Sequence, residues 1–284
     1  MRFLPALAML LLLGSTARPA TAAESYDNCT FFIESLPAVL TTQGTWCMNR
    51  DLSSSLASGS AIVVAANNVT IDCNHFKLGG LQAGAGTQAY GIATERLNLT
   101  VRNCAIRGFR RGINAGGAGA GGHLIESNRF EANRETAINL SGTGNIVRGN
   151  LIVDTGAASD NASAYGIYFV GDGVVIDNTI DGVWPAEGLH LGTTGIALVF
   201  SNAAVARQNR VFNVDAGTAS AHGISVYFGT FATVTDNDIV RGTAGLDSIA
   251  LYCGSDAIVT DNRVYGYESG LSGCDDDGGN LVKN

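Results

Sequence analysis

An apolar residue followed three positions later by asparagine recurs along most of this chain, at Ile71/Asn74, Ile125/Asn128, Val147/Asn150, Val175/Asn178, Ala206/Asn209, Val234/Asn237, Val259/Asn262 and Leu281/Asn284, with Asn103 after Thr100-Val101 completing the row. The steps from asparagine to asparagine are 29, 25, 22, 28, 31, 28, 25 and 22 residues. A period in this range is the signature of a solenoid or array, because each repeat is one small unit that cannot bury its own apolar side. A second apolar beat follows two positions after most of these asparagines, at Phe130, Ile152, Ile180, Val211, Ile239 and Val264. A third pairs a small residue with Ile or Leu, at Gly91-Ile92, Gly112-Ile113, Ala137-Ile138, Gly166-Ile167, Gly188-Leu189, Gly223-Ile224, Ser248-Ile249 and Gly270-Leu271.

Each repeat therefore offers two or three short strands with period-2 alternation, separated by Gly, Asn and Asp turns. Stacking equivalent strands about 4.8 Å apart buries every apolar side in one long core and pairs the backbone between rungs. The expected fold is all-β, a parallel solenoid of about nine coils. Asparagine suits the recurring corner because it tolerates left-handed backbone and can hydrogen-bond neighbouring rungs. Gly at the third beat allows a sharp turn into the next strand. Composition agrees: 37 Gly but only 4 Pro, with Pro37 and Pro185 the sole prolines past the first 23 residues, as expected where Pro would remove a ladder hydrogen bond.

These residues resemble the right-handed parallel β-helix proteins, the pectate-lyase-like superfamily with its short β-helix repeats. The resemblance runs from about Ile62 to Asn284 and includes Asn68-Val69-Thr70-Ile71-Asp72-Cys73-Asn74, which is similar to the first-rung motif of many secreted bacterial members. It implies a single-stranded right-handed helix over residues 61–284. Residues 24–60, with a short helix, are expected to cover its N-terminal end, which would otherwise expose apolar side chains and unpaired strand edges. No equivalent cap is visible at the other end. There the acidic stretch Ser272–Asn280 folds over the last coil, or a partner does, self-association included. The superfamily holds lyases, hydrolases, epimerases and adhesins, so the fold does not select among them.

Residues 1–23 read as a secretory leader: Met1-Arg2, an apolar run from Phe3 to Gly14, then small residues ending Ala20-Thr21-Ala22-Ala23. The run is too short to anchor in a bilayer, and no later stretch is apolar enough to span one. Export to the periplasm or the outside makes the six cysteines readable as disulfides. Stacked rungs favour the near pairs Cys29/Cys47, Cys73/Cys104 and Cys253/Cys274. Zinc is disfavoured because no Cys-x-x-Cys or His pair stands at ligand spacing. A net charge of −8, or about −10 without Arg2 and Arg18, argues against nucleic acid as a partner.

Sharp catalytic motifs are missing: there is no Gly-x-Ser-x-Gly elbow, His-Glu-x-x-His helix or phosphate loop. The Asn-Thr-Asp turn, Asp-Asp pair, Gly-His-Gly turn and Arg-x-Lys strand of the polygalacturonase branch are absent as a set. Residues at the same beat of successive coils lie side by side, which gives candidate surface rows. One row reads Tyr90, Arg111, Thr136, Tyr165, Glu187, His222, Asp247, Ser269. Its neighbours read Asn114, Asn139, Tyr168, His190, Ser225, Ala250 and Gly116, Ser141, Val170, Gly192, Tyr227, Tyr252. Aromatic faces, amides and acids together suit an elongated sugar chain.

Two functions follow. In the first, the protein is a polysaccharide lyase or C5-epimerase acting on uronates, a reaction that needs a base, a proton donor and a neutraliser of the sugar carboxylate. His190 or His222 would be the base, and Tyr168 or Tyr227 the donor. Arg111, Arg207 or a Ca²⁺ ion held by Glu187 and Asp247 would be the neutraliser, with Tyr252, Asn139 and Ser225 binding the sugar. In the second, a non-catalytic β-helix binds polysaccharide or another cell-surface partner, a reading favoured by the missing motifs and short turns.

Overall fold

The computed structural model describes residues 26–158, 160, 163–185, 192–215, 217, 219–242 and 247–283. The leader, Glu187, His190, the Gly188-Leu189 beat and Asn284 lie outside the described residues. The strands form three sheets of 11, 10 and 10 members, each built by stacking successive coils in parallel. The one helical element among the described residues is a short turn at Leu81–Ala83. In place of a helix before residue 60, Phe31–Phe32, Ala38–Leu40 and Leu52–Ser53 pair with Gly44–Cys47, Ser60–Val64 and Lys77–Gly79, so this segment contributes strands to all three sheets. At the other end Asp275–Asp276 and Leu281–Lys283 are themselves the outermost strands of their sheets, so the acidic stretch extends the stack.

The core is a set of aligned columns. Ile62, Ile92, Ile113, Ile138, Ile167, Ile196, Ile224 and Leu251 stand in direct register, each at most 1% exposed. Full burial of one such side chain stabilises by about 1.5–3 kcal/mol. Two expected beats shift along the sequence: Ile196, after Gly195, holds the place assigned to Leu189, and Leu251, after Ala250, holds that assigned to Ile249. In both places a small residue followed by an aliphatic one occurs twice within a few residues, so the pattern alone matched two positions.

The third-beat glycines serve close approach between rungs. A Cβ on Gly91 would lie 2.5 Å from the Gly112 oxygen, and one on Gly195 would lie 2.6 Å from the Gly223 oxygen. Neither residue has positive φ, which corrects the expectation that they ease a sharp turn.

The asparagine row is a buried ladder. Each side-chain oxygen accepts the backbone N–H of the previous rung, from Cys104 to Asn128 (3.0 Å), Asn128 to Asn150 (3.0 Å), Asn150 to Asn178 (3.0 Å), Asn178 to Asn209 (3.1 Å), Asn209 to Asn237 (3.0 Å), Asn237 to Asn262 (3.0 Å) and Asn262 to Asn280 (2.9 Å). The ladder thus ends on Asn280 rather than Asn284. Left-handed backbone belongs to the residue before the ladder position, as at Ser127 (φ 55°), Asp177 (55°), Gln208 (57°) and Asp236 (56°). Asn103 (φ 54°) fills that preceding place, and Cys104 fills the ladder place.

All six cysteines pair as the coil spacing favours, Cys29–Cys47, Cys73–Cys104 and Cys253–Cys274. No helix among the described residues is long and apolar enough to cross a membrane.

One buried histidine gives this fold a pH dependence. His123 is 1% exposed, its Nδ1 accepts the Leu99 N–H at 3.2 Å, and burial pushes its pKa down to about 4. The folded state keeps the ring neutral, whereas the unfolded chain takes up a proton near pH 6.5. Stability is therefore full above pH 6.5 and falls as pH drops toward 4, by about 3 kcal/mol over that window. Urea midpoints recorded between pH 7 and 4 check this, and a His123→Gln chain should lose this part of the slope.

Candidate functional site

Four adjacent strands of one sheet, Ala164–Val170, Thr193–Val199, Ala221–Tyr227 and Ser248–Cys253, carry the candidate site on their outer face. Register sets three rows across them: Tyr165, Thr194, His222, Ile249; then Tyr168, Ala197, Ser225, Tyr252; then Val170, Val199, Tyr227. Aromatic rings stand on three of the four strands, and the second strand offers only Thr194, Ala197 and Val199 between them. These three are buried. Rings thus stand on both sides of this small-residue strand, and the face is an aromatic platform.

At its centre the Tyr227 hydroxyl lies 3.0 Å from His222 Nδ1. Tyr252 stacks on the imidazole with ring centres 4.9 Å apart at 7°, and Tyr227 and Tyr252 are 5.3 Å apart. Tyr165 and Tyr168 pack edge to face at 4.8 Å on the far side of the small strand. Burial lowers the His222 pKa and raises those of Tyr227 and Tyr165. At neutral pH the pair is thus a neutral imidazole beside a protonated phenol, able to hold one shared proton and pass it to or from a bound molecule.

Two coils toward the N-terminus the platform runs into a polar groove. Arg111, Glu135, Thr136, Asn139, Ser141, Tyr165, Tyr168 and Val170 line a cavity of about 370 Å³. A second cavity, of about 610 Å³, extends it past Asn114, Ala93 and Tyr90. Asn139 Nδ2 donates to Asn114 Oδ1 at 2.7 Å, and Arg111 donates to the same oxygen at 2.9 Å. The Arg111 Nε donates to Glu135 Oε1 at 2.8 Å, and its guanidinium lies 5.7 Å from the Tyr90 ring centre. Glu135 also binds Arg110, which in turn reaches Asp160. Its pull on Asp160 holds that carboxyl below its ordinary value.

The structure brings together His222, Ser225, Tyr227 and Tyr252, and places Tyr168, Asn139 and Arg111 on the adjoining coils of the same sheet. Asp247 does not join them. The register sets Ile249 beside His222, while Asp247 is exposed at the strand's start with its N–H on Glu268 Oε2 at 2.6 Å. Arg207 sits on a different sheet. Glu187 and His190 are outside the described residues, and the register gives their expected rows to Thr194 and Ala197. Among the described residues no three His, Cys, Asp or Glu side chains converge in a way that would hold a metal ion. Sequence reasoning missed Glu135, which precedes Thr136 on the coil after that of Arg111 and leans across to the arginine, a contact that no motif in the sequence marks.

Comparison with known proteins returns no curated match. Among solved structures the chain is similar to the A-module of mannuronan C-5 epimerase AlgE6 from Azotobacter vinelandii, at 14% identity and a TM-score of 0.46, covering 89% of this chain and 80% of that one. It is also similar to a tailspike protein mutant of E. coli bacteriophage HK620 solved with a pentasaccharide, at 11% identity and a TM-score of 0.46, covering 89% of this chain and 55% of that one. The family model described as "Right handed beta helix region" matches residues 38–184, just over half of the 284-residue chain. With parallel coils in three stacked sheets and a family match over that span, this chain belongs to the right-handed β-helix family.

Proposed function

We propose that this is an exported carbohydrate-active β-helix protein that lays a polysaccharide along the groove and platform, and that it acts on uronate units as a lyase or C5-epimerase. The observation that carries the reading is the Tyr227 hydroxyl 3.0 Å from a neutral His222 under the Tyr252 ring. Tyrosine faces stack on pyranose rings, and the amides of Asn114 and Asn139 supply hydrogen bonds along the chain. Three disulfides suit an oxidising compartment, in keeping with the leader read in residues 1–23.

In elimination, the Tyr227 oxygen takes the proton alpha to the sugar carboxylate while its own proton passes to His222 Nδ1. The C4–O4 bond then breaks as the C4=C5 bond forms, and the same proton returns through Tyr227 to the departing oxygen. In epimerisation water gives a proton to the opposite face of C5 instead, and the proton left on the Tyr227–His222 pair passes to the resulting hydroxide. The raised pKa of Tyr227 keeps the phenol protonated at rest, so the pair starts with the proton it must relay.

Release of unsaturated uronates from pectate, alginate and a glycosaminoglycan, followed by ultraviolet absorbance and by sugar analysis for epimers, tests the reading. Tyr227→Phe should lower turnover by about a hundredfold or more with binding retained. No new absorbance and no epimer on any polymer would overturn the catalytic part.

A second reading, binding without turnover, is favoured by Arg111. Its guanidinium is already neutralised by Glu135, with its Nε donating at 2.8 Å, so a sugar carboxylate placed there meets no free cation. Full polysaccharide binding with no turnover, unchanged in Tyr227→Phe, would establish it.

A further inference from the structure

Where the platform strands turn into the next sheet, the same corner position recurs as Gly142, Gly171, Phe200 and Phe228, each directly after a register-paired residue. Gly142 and Gly171 repeat one hydrogen bond, donating to Val170 and Val199 oxygens, and Phe200 repeats it on Tyr227. All four have positive φ: 106° and 102° at the glycines, 50° and 54° at the phenylalanines. Glycine meets this backbone without strain, whereas a bulky side chain there is a genuine outlier whose persistence points to function. Phe231, three residues past Phe228, adds a third at φ 62°.

The rings gain no burial in return. Phe200, Phe228 and Phe231 are 61%, 70% and 74% exposed, and Phe200 and Phe228 stack with centres 5.1 Å apart at 18°. The patch joins the platform without a gap: Phe228 is 6.4 Å from Tyr227, which is 5.3 Å from Tyr252. The corner segments 171–173, 200–204, 228–232 and 254–256 hold Asp172 and Asp256 and no Lys or Arg. A carboxylated sugar would meet bare rings and like charge there, while the apolar face of an uncharged pyranose matches flat exposed aromatics.

We propose that Phe200, Phe228 and Phe231 form a stacking subsite for an uncharged sugar unit of the polysaccharide whose neighbouring units lie on the His222–Tyr227 platform. The proposal rests on the polysaccharide reading above and narrows it. The substrate is a mixed polymer in which neutral sugars alternate with or branch from uronates, and its chain turns over the corner rather than staying on one sheet.

Affinity electrophoresis of the full chain tests this, in gels cast with xanthan or gellan, which mix neutral sugars with glucuronate, or with polygalacturonate or alginate, which do not. The unaltered chain should be retarded more by the mixed polymers. Phe200→Gly/Phe228→Gly, which restores the residue used on the two preceding coils, should lose at least about tenfold in affinity for them. It should bind the polyuronates unchanged and unfold at the same or higher urea concentration. Unchanged retardation by the mixed polymers in that variant overturns the subsite. If Tyr252→Ala then abolishes retardation, the platform reading survives. A variant that keeps full affinity but loses stability shows that the rings serve the fold, and one that turns a dimer into a monomer in sedimentation shows that the corner seats a second copy. Either overturns the proposal. Retardation by none of the four polymers overturns both the subsite and the platform reading.

Discussion

Replacing Asn178 by Ala should lower stability by about 3–6 kcal/mol, seen as a large drop in the urea midpoint. The Asn178 oxygen accepts both the backbone and side-chain N–H of Asn150, at 3.0 and 2.9 Å. Its amide nitrogen donates to the Val147 and Ile176 oxygens and to Asn209, at 2.9, 3.0 and 3.0 Å. Alanine leaves about three buried polar groups without partners, each costing about 1–3 kcal/mol, and the site is too crowded to admit water to all of them. Asn74 offers the contrast. It lies outside the ladder and its amide donates only to the Met48 oxygen at 3.1 Å, so Asn74→Ala should cost about 1 kcal/mol. Equal losses at the two positions would mean that the ladder adds nothing beyond its separate bonds.

Gly195→Val should be the most damaging single change on the platform sheet, at about 3 kcal/mol or more. A Cβ there would lie 2.4 Å from Val211 Cγ1 and 2.6 Å from the Gly223 oxygen, and the second contact is with the backbone of the next rung. The rungs must separate locally or the side chain must leave the core, and overpacking of this kind costs about 1–3 kcal/mol even without a backbone collision. Ala137 and Ala250 stand in the same column of other coils, so one methyl can be accommodated where rung spacing adjusts. Gly195→Ala should accordingly cost much less than Gly195→Val in thermal or urea unfolding.

The fold was legible because asparagine and the aliphatic beats recur at positions that only stacking explains, and the near cysteine pairs followed from the same stacking. What failed was register inside a coil. Gly188-Leu189 and Gly195-Ile196 satisfy one pattern, as do Ser248-Ile249 and Ala250-Leu251, and only the inter-rung hydrogen bonds choose between them. The second error was a slip of two residues, which preserves the inside–outside alternation. Tyr252 therefore stayed on the outer face but moved beside Ser225, while Asp247 left the His222 row. The tie between Arg111 and Glu135 was not legible, because an arginine's availability depends on what leans across from the next coil. Nor were the corner phenylalanines, since a positive φ at Phe cannot be read from a residue type that avoids it.

The disulfides divide the molecule in a way that bears on how it comes apart. Each joins neighbouring rungs, two near the first coils and one near the last, and none lies between Cys104 and Cys253. A one-dimensional stack opens like a zipper from its free ends, where a rung has a neighbour on one side only. The covalent staples sit on those ends, and the asparagine ladder, which runs from Cys104 to Asn280, covers the interval between Cys104 and Cys253 that they leave. Loss of the staples under reduction therefore starts as fraying at the two tips. The middle rungs, those bearing Asn114, Asn139 and Tyr168, open last, whereas the strand bearing His222 and Tyr227 lies only two places from the last strand of its sheet, so polysaccharide binding should be lost with the first loss of β signal.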